Sequence, residues 1–146
     1  MVAHEPVRDR VSPKNAALSV LIQSLLSLNG GFWNSVPMSA DVDDLNAKIG
    51  KVFNALRYED EAGENTQSPN DNEAGYAEMY PSLSQSFEEK KFVWRYGLFH
   101  ELVGGLRFDE EKNTDVAAFL KVVDKVLVEH DVIPATEFLF VGRKEA

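Results

Sequence analysis

The chain contains no cysteine. That excludes thiol catalysis, a disulfide framework and every cysteine-based zinc or iron–sulfur site. Histidine is almost as scarce. His4, His100 and His130 stand far apart, which leaves little for a histidine-built metal centre. No metal and no other cofactor is therefore expected. Long apolar runs are missing too. The longest begins at Ala16 and fades at Leu28, and Ser19, Gln23, Ser24 and Ser27 interrupt it, so it is too short and too polar to span a bilayer. The first twelve residues mix His4, Glu5, Arg8, Asp9 and Arg10 and lack the basic start and apolar stretch of a secretory signal. A soluble, cytoplasmic protein with no membrane attachment is the expectation.

Charge is absent from two stretches in different ways. Between Ala16 and Ala40 there is no charged residue at all. Between Glu59 and Ser84 there is no Lys or Arg, while Glu59, Asp60, Glu61, Glu64, Asp71, Glu73 and Glu78 supply seven of the nine net negative charges. The net charge of −9 argues against a nucleic-acid backbone as partner. The acidic stretch is rich in Gly, Asn, Ser and Pro and poor in aliphatics. It cannot bury enough surface to offset its ordering entropy, so disorder is expected over most of Gly63 to Ala77. The alternative is a recognition segment that uses Tyr76, Met79 and Tyr80.

The known catalytic signatures fail one by one. His100-Glu101 begins like a zinc-protease helix, but position 104 is Gly104 where the second ligand should stand. Gly30-Gly31 and Gly104-Gly105 match neither the dinucleotide fingerprint nor the phosphate-binding loop, and there is no nucleophile elbow. A calcium loop centred on Gly75 would need oxygen ligands where Ala74 and Pro81 stand. Asp109, Glu110 and Glu111 read as a solvated turn. The run from Ile133 to Arg143 is faintly similar to C-terminal segments of the atypical kinases linked to ubiquinone synthesis. No nucleotide-binding or catalytic kinase motif accompanies it, so the resemblance implies no activity here.

What remains is helical periodicity in a chain of 146 residues, the size of one domain. After Ser12-Pro13, an N-cap followed by Pro in the first turn, Leu18, Leu21, Ile22, Leu25 and Leu28 recur at threes and fours. A second helix is expected from about Ser39, with Leu45, Ile49, Val52, Phe53 and Leu56 inward. A third is expected from Ser82–Ser86 to Gly104, with Phe92, Tyr96, Phe99, Val103 and Leu106 on one face. A fourth is expected from Asn113 to His130, lined by Phe119, Val122, Val123, Val126 and Leu127. Residues 137–141 are apolar and ambiguous between strand and helix. With no second segment to pair a strand, a short helix over Thr136–Arg143 is favoured. The expectation is an all-α, four-helix bundle-like domain over residues 1–146. It carries a flexible tail at 1–12, an acidic loop at 59–81 and a short C-terminal helix or extended segment.

With no catalytic motif, a non-enzymatic protein–protein interaction module is expected: a regulator, inhibitor or adaptor, with a second copy of the chain among the candidate partners. The partner-binding candidates are Ser24 on the weakly polar face of the charge-free helix, Phe32 and Trp33 on the Gly-rich turn, and Tyr76 and Tyr80. Two rivals stand beside it. One is a small-molecule pocket or enzyme built around His100, Tyr96 and Trp94. The other is a subunit of a nucleoprotein assembly, suggested by Lys90, Lys91 and Arg95 among aromatics. A metal site, a catalytic residue or a cofactor-binding residue is not expected.

Overall fold

The structure is a computed structural model that describes residues 1–33, 41–68 and 74–144. In chain order the elements are β1 (Val2–Pro6), a single 3₁₀ turn (Arg8–Arg10), α1 (Pro13–Ser27), α2 (Val42–Leu56), α3 (Tyr76–Ser86), β2 (Glu88–Arg95), α4 (Phe99–Val103), α5 (Glu110–Glu129) and β3 (Glu137–Arg143). The strands form one antiparallel sheet in the order β1-β3-β2. The molecule is therefore mixed α/β, and the all-α bundle is corrected.

The helix starts follow their caps. Ser12 and Asn15 make a reciprocal capping box at α1, with Pro13 in the first turn. Asp41 caps α2 by accepting from Asp43 N–H at 2.8 Å, and Asp109 caps α5 by accepting from Lys112 N–H at 2.8 Å.

The expected third helix is where the architecture changes. Its stripe of Phe92, Tyr96, Phe99, Val103 and Leu106 is split among β2, a turn, α4 and the turn after it. Phe87 is extended at φ −142°, and Tyr96 sits in the left-handed region at φ 41°. No helix passes through either backbone. The segment Phe92-Val93-Trp94 instead alternates, with β-favouring side chains, at a strand's period of two. The N-terminal segment expected as a tail supplies β1. β3 thus has partners on both sides, and the argument that a strand at 137–143 would be orphaned falls. Within the stretch expected as an acidic loop, α3 begins at Tyr76, where Asp9 accepts from Tyr76 N–H at 3.1 Å. Residues 69–73 of that loop lie outside the described residues.

Two apolar clusters hold the fold. Phe138 and Phe140 of β3 are fully buried with Ala3 and Val7, and Tyr76, Met79, Tyr80 and Leu83 of α3 pack over them beside Phe92 and Trp94. The helical cluster joins Leu98, Leu102 and Leu106 to Leu120 and Ile133, with Leu18, Ile22 and Leu26 of α1 against it.

A polar junction ties the clusters together. The buried Asn15 side chain donates to Gly97 O at 2.7 Å and Pro134 O at 3.1 Å. Asp124 Oδ1 on α5 accepts from Gly97 N–H at 2.8 Å and Leu98 N–H at 2.7 Å. Gly97 is required here: a Cβ would stand 2.6 Å from Ile133 Cδ1 and 2.9 Å from Pro134 O. This junction fixes the turn from which α4 projects, and α4 carries the residues described next.

Candidate functional site

Glu137 begins β3, and the residue is only 8% exposed. A carboxylate so placed must be paired. Its two oxygens take one imidazole each: Oε2 contacts His4 Nε2 at 2.8 Å, and Oε1 contacts His100 Nδ1 at 2.6 Å. His4 comes from β1, where the antiparallel register sets Pro6 opposite Glu137 and His4 opposite Leu139, on the same sheet face. His100 comes from the first turn of α4. Both imidazoles are partly open, with side-chain exposures of 39% and 48%. Their ring centroids lie 6.4 Å apart, and Tyr96 and Phe99 pack on His100 at 4.8 and 5.4 Å.

Beside this trio lies a cleft of about 190 Å³. Val7, Leu98 and Phe99 give it apolar walls, and His100, Glu101 and Glu137 give it a polar end. Glu101 as a residue is exposed, yet its carboxyl is crowded by protein atoms. That desolvation pushes its pKa up; His100 opposes the rise and Glu137 adds to it. Since His100 Nδ1 is engaged by Glu137, the ring nitrogen left free is Nε2, which has no partner among the described residues. Among the described residues, no group of three or more His, Cys, Asp or Glu side chains is placed to hold a metal ion.

The sequence singled out His100 and Tyr96, and the structure brings them together. Trp94 belongs elsewhere, on the sheet face under α3 with the Arg10 guanidinium 3.9 Å from its ring centre. Glu137 and His4 are not among the site residues expected from the sequence. The one available signal was an acid heading an apolar run, and its two partners lie far away in sequence.

The partner-binding candidates scatter. Phe32 is buried at 6% and fills the space above Gly105, where a Cβ would meet its ring at 2.1 Å. Trp33, next to it, is 61% exposed, and its backbone N–H donates to Gly105 O at 2.8 Å. Tyr76 and Tyr80 stack on each other at 5.2 Å and lie on the sheet, and the Tyr80 hydroxyl donates to Glu89 at 2.9 Å.

Ser24 is inside, with its hydroxyl donating to Val20 O at 2.7 Å. α1 is therefore turned relative to expectation. Asn15, Ala16, Ser19, Val20 and Ser24 face inward, while Leu21, Leu25 and Leu28 are 49%, 63% and 54% exposed. α1 packs along α2 and on α4, and a face of small residues permits that close approach. α5 is turned as well: Phe119, Val122 and Val126, expected to face inward, lie open, while Leu120 and Asp124 are buried.

No helix among the described residues is long and apolar enough to cross a membrane. The chain matches no protein-family model, no curated protein and no solved structure.

Proposed function

We propose that the protein is an interaction module, a regulator, inhibitor or adaptor, that docks through the outer face of α1, and that the occupant of this face is a second copy of the chain. The observation that carries the reading is the leucine stripe Leu21, Leu25 and Leu28, open to solvent in a segment with no charged residue from Ala16 to Ala40. A monomer's surface helix normally turns charge outward. Spacing of four and then three residues makes a narrow seam suited to helix-on-helix packing. Trp33 stands at the end of this helix as a ready anchor.

Charge favours a like partner. From Leu21 to Leu28 the face offers nothing to select an ionic surface and sets no like charges against themselves across a two-fold axis, while Lys14 stands at the start of the helix. Most of the acidity sits in the separate stretch Glu59 to Ser84. α2 adds to the incompleteness of the single chain: its Leu45, Ile49, Val52, Phe53 and Leu56 form an apolar stripe, yet none of its residues is fully buried. The cysteine-free composition fits a reducing, cytoplasmic setting.

Each leucine is already half covered. Its burial therefore contributes less than the roughly 1.5–3 kcal/mol of full transfer, and association is weak and concentration dependent. Sedimentation equilibrium across about 1 µM to 1 mM tests this. The wild type is expected to shift from monomer to dimer, and Leu25→Asp to stay monomeric with an intact fold. A wild type that remains monomeric throughout, or a Leu25→Asp variant that dimerises equally, overturns the reading.

A further inference from the structure

We propose that the cleft beside Glu137 is a proton-transfer site, in which His100 Nε2 takes a proton from a small uncharged or cationic molecule held against Val7, Leu98 and Phe99. The proposal does not depend on the α1 face, and it departs from the expectation of a chain without chemistry. It rests on how one buried carboxylate is used. Glu137 accepts from Nδ1 of His100 at 2.6 Å, which fixes the ring's orientation and leaves the Nε2 lone pair as the open position. A carboxylate in this place also stabilises positive charge as it develops on the ring, the role of the acid in a hydrolase triad. The imidazole is neither sealed in nor loose. It is 48% exposed and lines the cleft, while the stacked pair Tyr96 and Phe99 packs against one side of it.

In the step itself, an O–H, N–H or activated C–H bond of the ligand breaks and its electron pair stays on the ligand. The proton forms a new N–H bond at Nε2. The resulting imidazolium is balanced by Glu137, and the proton returns to another atom of the ligand or passes to water. No oxidant, reductant or further reactant is needed. Glu137 is a positioning residue and never meets the ligand's proton. Glu101 lines the same cleft, and its desolvation raises its pKa above that of an ordinary glutamate. Glu5, Glu101 and Glu137 line the cleft together with Arg8, which is itself bonded to Asn65 at 3.1 Å. That balance repels carboxylates and phosphates and defines the ligand class.

The absence of cysteine makes a direct test clean. Bromoacetamide alkylates an unprotonated imidazole: a C–N bond forms at the ring nitrogen and bromide leaves. His130, exposed at the end of α5 with no carboxylate partner among the described residues, is the internal reference. Peptide mass spectrometry of the folded protein is expected to show His100 reacting faster than His130, on the order of tenfold. Bromoacetate, of similar size but anionic, is expected to lose that advantage. Glu137→Gln is expected to bring His100 down to the rate of His130. His4→Gln removes the other half of the clasp, leaves the carboxylate on His100, and is expected to keep the ratio even where it lowers the melting temperature. The His4 variant thereby separates charge placement from scaffolding. The proposal fails if wild-type His100 reacts no faster than His130, or if a folded Glu137→Gln variant keeps the ratio. A preference of His100 for bromoacetate overturns the ligand class.

Discussion

Ser24 and Leu25 are neighbours on α1 with opposite environments: Ser24 is 4% exposed and Leu25 is 63% exposed. The hydroxyl needs no outside partner because it donates back to Val20 O within the helix. A buried serine can therefore stand where a larger side chain would hold the helix away from its neighbours.

Aspartate at these two positions should have unequal effects. Ser24→Asp sets a carboxylate into a closed face, and burial of an unpaired polar group costs roughly 2–7 kcal/mol. Leu25→Asp should cost about 1 kcal/mol or less, chiefly from helix propensity. Urea melts of the two variants at a concentration where the wild type is monomeric provide the comparison. Equal losses would mean that α1 is not oriented as described.

Asp124 should matter more for its Oδ1 than for its charge. Oδ1 accepts from Gly97 and Leu98 N–H, while Oδ2 is buried with no hydrogen-bond partner among the described residues. Asp124→Ala strands two buried donors at about 1–3 kcal/mol each. Asp124→Asn keeps an acceptor and removes a buried charge, so it should lie much closer to wild type. A denaturation series that ranks Asn as badly as Ala would refute this division of roles.

Glu101 gives a pH dependence of definite sign. Burial raises its folded-state pKa above the ordinary 4.5, with His100 opposing and Glu137 assisting. In the window just above 4.5 the folded chain then binds more protons than the unfolded chain at this position. Stability contributed by the protonated carboxyl is present at the low end of that window and is lost as pH rises through it. Glu101→Gln should abolish this component and gain on the wild type as pH climbs from 4.5 toward neutrality. Melting temperatures of both proteins across that range are the measurement, and parallel curves would exclude the effect.

Local signals in the sequence place α1 and α5 along the chain, but they do not fix which face of either helix is buried. Ser12-Pro13 opens α1, and α5 occupies Glu110–Glu129 close to the expected span, because caps and periodicity act within a few residues. Phe92, Tyr96, Phe99, Val103 and Leu106 mimic a helical stripe by spacing alone. What makes Phe92 a strand residue is its pairing with Phe140, which no local window contains. The same holds for the site. His100 is a pocket candidate in the sequence, but the acid that orients it enters from β3 and its companion His4 from β1. The inversion of α1 had a local trace, since serines at positions 19, 24 and 27 break the stripe. Which side faces inward was decided by what packs there.

The place of β3 in the sheet also bears on how the molecule comes into being. β3 is the middle strand, yet it is translated after both of its neighbours, and its register joins Val2 to Val141. As the chain emerges from the ribosome, β1 and β2 wait with their pairing edges open, and the aromatic face of Phe92 and Trp94 lacks the Phe138 and Phe140 that close it. The helices can form early from local contacts, but the sheet closes only across the longest loop in the molecule, a slow step. A nascent chain stalled before residue 137 therefore exposes strand edges that invite aggregation, and a chaperone that shields them acts where this fold is most vulnerable.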